Sequence, residues 1–172
     1  MSLLSYESVV AFADRVQASP LGEWLSESAL AFPVIEGVHL ISLAVSVGLL
    51  FLIDLRLLGL LWRDLPLAEV LSQLRKPVLL GFGVIFATGV LLFFAEAPTL
   101  IASPAFPFKL LFIALAGINA LWLEKVSLKR VDLSLPHVRP PVAVRWAGLA
   151  SLLLWTAVIV CGRLIPYLPS WD

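Results

Sequence analysis

Glu36, His39 and Asp54 recur at three- and four-residue spacing with Leu43, Val47 and Leu50, and so fall on one stripe of a single apolar helix. Charged side chains inside a membrane span each cost roughly 2.5–3.5 kcal/mol at mid-bilayer, so such a stripe belongs against other helices. With Phe32 near one boundary, a rise of about 1.5 Å per residue puts His39 roughly 10 Å inward and Glu36 about one turn shallower. Lys109, just inside a later apolar run that opens at Phe106, lies at nearly the same level, so Glu36, His39 and Lys109 form a candidate cluster. Its plainest arrangement is a Glu36–Lys109 ion pair with His39 hydrogen-bonded beside it. Its chemical alternative is His39 as an axial ligand to a metal or haem iron. Glu36 or Lys109 would then orient the ring, bind a propionate or shuttle a proton. A haem b held between two facing histidines needs a second intramembrane histidine, and the other one, His137, is in a polar loop. The iron would be five-coordinate, take Lys109 or another non-histidine sixth ligand, or be shared between two copies of His39 in a symmetric dimer.

Other polar positions carry less chemistry. Asp54 and Arg56 stand beside the Arg75-Lys76-Pro77 segment, where arginines set topology and bind lipid phosphate. Asn119, about 15 Å beyond Lys109 by helical rise, can bridge helices or line a quinone or substrate pocket. Thr88 with Gly81, Gly83 and Gly89, and Ser151 with Thr156, suit small-residue helix contacts. Gly37 and Gly48 flank the polar stripe without forming a GxxxG motif, so a homodimer is compatible with the sequence but its face is not marked.

The elements that position these groups follow from composition. The chain has 172 residues, is 60% hydrophobic and 14% charged, and has a mean hydropathy of +1.00, against about 45–50% apolar and about 25% charged in a soluble domain. Apolar stretches at about Phe32 to Leu61, Pro77 to Ala95, Phe106 to Leu123 and Val142 to Ile165 are each near or above the roughly 20 residues that cross hydrocarbon. None shows the alternation of a barrel strand, so the reading is an all-α, integral membrane four-helix bundle in one domain. Ahead of it, Leu3 to Ala18 places Leu3, Val9, Val10, Phe12, Ala13 and Val16 on one arc, opposite Glu7 and Asp14. Ser19-Pro20 then reads as an N-cap and first helical position opening a short helix through Trp24. These are expected to be interfacial amphipathic helices, anchoring the outer face or covering an opening there.

Twelve Lys+Arg balance twelve Asp+Glu, leaving no basic excess of the kind nucleic acid would require. One methionine and one cysteine, Cys161, exclude an intrachain disulfide, a CxxC pair and a sulfur-lined copper(I) cage. The N-terminus lacks the basic and apolar regions of a secretory signal and is expected to be retained. Arg56, Arg63, Arg75 and Lys76 between the first two spans, and Lys125, Lys129, Arg130, Arg139 and Arg145 between the last two, predict that both these loops face the cytoplasm, and that both termini and the loop from Glu96 to Pro107 face the periplasm.

The order PVIEGVHLISLAVSVGLLFLIDLRLLG, RKPVLLGFGVIFATGVLLFF and AFPFKLLFIALAGINALW resembles an uncharacterised family of small four-span bacterial inner-membrane proteins, over about Phe32 to Trp122. More remotely, a histidine early in the first span, an arginine at its inner end, a glycine-containing second span and a lysine opening the third look like haem-binding four-helix bacterial protoporphyrinogen oxidases and copper-resistance D-type membrane domains. That likeness implies haem b and membrane redox chemistry, with His39 in the place of the haem-associated histidine, Arg56 of the inner-end arginine and Lys109 of the third-helix lysine. Asn119 stands where a histidine would be expected. A quinone or other redox partner, a homodimer, and a subunit or small-transporter role in which the cluster is structural or relays protons complete the expectations.

Overall fold

Leu, Val, Ile and Ala runs fold as helices throughout the computed structural model, which describes residues 3–127 and 140–168. In chain order the helices are α1 (Leu3–Gln17), α2 (Pro20–Glu27), α3 (Ala31–Leu57), α4 (Leu67–Ala102), α5 (Ala105–Trp122) and α6 (Val142–Leu164), with a π-helical turn, Leu123–Ser127, extending α5. Among the described residues there is no strand. The four helices α3 to α6 are each long and apolar enough to cross a membrane. The chain is a multi-pass membrane protein. His137, Lys129, Arg130, Arg139 and the Leu3 side chain lie outside what is described.

The expected start of α2 is present: the Ser19 hydroxyl oxygen accepts from Gly22 N, and Pro20 opens the helix. Two boundaries differ from expectation. The first span ends at Leu57 rather than near Leu61, because Gly59 takes a left-handed φ of +74° and turns the chain. The second helix begins at Leu67, ten residues before Pro77, and continues to Ala102 where a loop from Glu96 was expected. Its first turns are amphipathic, with Leu67 and Val70 buried while Glu69, Gln73, Arg75 and Lys76 face outward. Membrane helices also tolerate internal proline better than soluble ones. Pro98 produces a kink at Glu96, where φ is −132° and ψ 28°.

Pro98 has no N–H, so the Phe94 carbonyl loses its helical donor. The N-terminal helices cover this place. Gln17 Nε2 donates to the Ala95 carbonyl at 2.6 Å, and Gly22 lies so close that an added Cβ would stand 2.8 Å from the Phe94 oxygen. Ala13 and Leu25 are buried here, whereas Trp24 is exposed, as a boundary indole should be.

Packing runs α4 on α3, α3 on α6 and α6 on α5, while α5 touches α4 little beyond the turn that joins them. At that turn Phe93 and Phe106 stack at 6.0 Å. The apolar core of Ile53, Leu57, Leu67, Val78 and Val144 lies at the opposite end, beside the turn between α3 and α4. Side chains such as Ile41, Leu80 and Ile118 point outward, as they do on helices solvated by lipid.

Candidate functional site

On α3, His39 faces α4. Its Nδ1 is 2.8 Å from Thr88 Oγ1, and Thr88 Oγ1 lies 2.7 Å from the Val84 carbonyl of its own helix. A hydroxyl has one proton. With that proton on the Val84 carbonyl, Thr88 Oγ1 accepts from His39 Nδ1–H, and the neutral ring then carries its lone pair on Nε2. The Ile85 carbonyl is a further acceptor within reach of the ring. Gly89 makes room for the imidazole, since a Cβ there would be 3.4 Å from His39 Cε1. The small residues read from sequence as helix contacts thus include two that hold the histidine.

Lys109 reaches this region from α5, with its aliphatic stem along α6. A Cβ on Gly162 would stand 3.4 Å from Lys109 Nζ and 3.6 Å from its Cε. His39 is within Coulombic range of both Lys109 and Glu36, and Lys109 of Cys161. Glu36, His39 and Lys109 therefore share one end of the bundle, but Glu36 and Lys109 form no ion pair. Lys109 turns along α6, whereas Glu36 is exposed and faces Glu96 across the α3–α4 contact. Glu96 is a group sequence reading missed, because the residues after Ala95 were expected to be loop.

Arg56 is at the far end of α3, seventeen residues and about 25 Å from His39 by helical rise. It is 2% exposed and donates from Nη2 to the Leu65 carbonyl at 2.8 Å, securing the turn between α3 and α4. Asn119 Nδ2 donates to the Ala147 carbonyl of α6 at 3.0 Å, which is the helix-bridging role. The structure thus brings three of the candidate residues together and puts Arg56 and Asn119 elsewhere. Among the described residues no group of three or more His, Cys, Asp or Glu side chains could hold a metal ion.

Asp54, also at the far end, is 1% exposed. The Ser151 hydroxyl of α6 hydrogen-bonds to it, and its Oδ2 has no partner. Sequence position put it on the interior-facing stripe, near the cytoplasmic boundary, without marking a partner. The signal available was Ser151 and Gly148 on α6, a serine and a small residue one turn apart that let α3 approach.

Residues 29–168 match the model of a family of unknown function (DUF6644). No curated protein and no solved structure matches the chain.

Proposed function

This chain belongs to that family of unknown function, and we propose that it is a bacterial inner-membrane redox protein holding one b-type haem on His39. The observation carrying this reading is the Thr88 hydrogen bond, which commits Nδ1 and leaves Nε2 free to bind iron. Metal-bound histidines commonly have the other ring N–H fixed by an oxygen acceptor in this way. A porphyrin needs only one protein ligand to its iron, so a lone histidine fits where a three-residue metal cage is lacking. Haem would supply one-electron chemistry. Thr88 would orient the ring, Gly89 would admit it, and Lys109 would supply an amine for a propionate. Orientation follows the positive-inside bias: the end of the bundle with Arg56, Arg63, Arg75 and Lys76 is the cytoplasmic one, and α1, α2 and the His39 end face the periplasm.

The test is an absorption spectrum of detergent-purified protein from haem-replete cells, oxidised and then dithionite-reduced, beside His39→Ala. A Soret band lost in the variant is the expected result. A featureless spectrum from folded wild-type protein overturns the reading. A second reading, a proton relay in a transporter or complex subunit, is favoured by the same histidine standing within Coulombic range of Lys109. It predicts a folded, haem-free protein in which His39→Ala abolishes the activity and Thr88→Val alters its pH profile.

A further inference from the structure

Asp54 and Arg56 are two residues apart on α3, both almost wholly buried, yet they do not pair. Two residues on a helix are about 200° apart, so the carboxyl turns to α6 and the guanidinium to the turn after α3. Each is left incompletely bonded: Asp54 Oδ2 and Arg56 Nε have no partner. A carboxylate buried in apolar surroundings without a counter-ion is costly, and binding a proton removes that charge.

The groups around Asp54 supply no substitute cation. From α6 it meets the Ser151 hydroxyl, while Arg145 nearer the helix start is exposed. From α4 this end receives the apolar Leu67 and Val78, with Glu69, Arg75 and Lys76 exposed. From α5, Asn119 is engaged with the Ala147 carbonyl. On α3 itself Arg56 is turned to Leu65, and in the following turn Arg63 and Asp64 are exposed. Gly148 holds α6 close, since a Cβ there would be 3.1 Å from the Asp54 carbonyl and 3.0 Å from Leu57 Cβ. That contact keeps Ser151 on one carboxyl oxygen and leaves the other free.

We propose that Asp54 is a proton-binding site, loaded from the aqueous phase on the side of the basic loops and separate from His39. Ser151 donates to one carboxyl oxygen. The other binds the proton, forming an O–H bond when it arrives from water and breaking it when it leaves.

Infrared spectroscopy of the purified protein in lipid nanodiscs tests this. The expected result is a protonated-carboxyl C=O band, lost in Asp54→Asn, shifted to lower frequency in D₂O, and lost reversibly as pH rises. Ser151→Ala keeps the carboxyl and is expected to raise the frequency of the band, so the assignment stands even where Asp54→Asn does not fold. Absence of the band at every pH at which the protein stays folded overturns the proposal. So does a band that neither exchanges in D₂O nor titrates. His39→Ala is expected to leave the band in place, so failure of the haem reading and failure of this one are told apart.

Discussion

At the scale of single residues, Thr88 decides what His39 can do. Its hydroxyl is within hydrogen-bond distance of both the Val84 carbonyl and His39 Nδ1, and with its proton on Val84 it accepts from the imidazole. Thr88→Val has nearly the same shape and cannot accept, so the ring loses its fixed tautomer. Loss of such a supporting partner typically costs about 10–100-fold in metal affinity. Haem titration of Thr88→Val is expected to show weakening of that order, while Thr88→Ser, which keeps the hydroxyl, stays close to wild type. Equal affinities for all three proteins would mean that the hydrogen bond does not prepare the ligand. The candidate histidine was legible in the sequence, because a histidine so far inside an apolar span stands out against its surroundings. Its partner was not, because which face of α4 meets α3 depends on helix rotation, and threonine suits a packing contact equally well. The Glu36–Lys109 pair failed for the same reason: equal depth in the membrane does not specify direction around the helix axis.

At the scale of elements, the N-terminal helices are tied to the kink in α4. Pro98 frees a carbonyl, Glu96 leaves helical geometry, and Gln17 and Gly22 come up against the disturbed turn. A Cβ on Gly22 would meet the carbonyls of Gln17, Val16 and Phe94, the last two at 2.7 and 2.8 Å. Those are backbone atoms that cannot swing aside. Gly22→Ala is therefore expected to lift α2 off α4 and to destabilise the protein by about 1–3 kcal/mol, the usual range for overpacking. Gly37→Ala serves as control: nothing lies within 4 Å of its added methyl, and alanine improves on glycine in a helix interior by roughly 0.5–1 kcal/mol. Thermal unfolding in detergent compares the two, and a Gly22→Ala midpoint equal to wild type would show that the N-terminal helices are not held at this contact. The amphipathic pattern foretold helices here but not their docking site, since the feature that receives them is a proline read as lying in a loop. The early start of α4 was similarly hidden behind Pro77, although Leu67, Val70, Leu71 and Leu74 keep helical spacing up to it.

At the scale of the whole molecule, composition made the four spans plain, and their even number returns the chain to the side from which it entered. The two ends of the bundle then differ in chemistry. One holds α1, α2, the kink and the His39 cluster; the other holds the basic turn, the apolar core and the buried Asp54 with Arg56. The stripe turned Asp54 toward other helices, but the helix that covers it could not be read along the chain, because it is α6, almost a hundred residues later, closing on α3 through Gly148 and Ser151. If Arg63 and its neighbours face the cytoplasm, the proposed proton site opens inward and the proposed haem site lies near the outer surface. Single cysteines in a Cys161→Ala background test this in intact spheroplasts with a membrane-impermeant maleimide. Glu23→Cys on exposed α2 is expected to label, and Arg63→Cys in the turn after α3 to label only after the membrane is permeabilised. The reverse pattern would invert the protein, placing Asp54 toward the outside and His39 toward the cytoplasm. A haem held on His39, as proposed, would then be reached from the cytoplasmic side while the internal packing stayed the same.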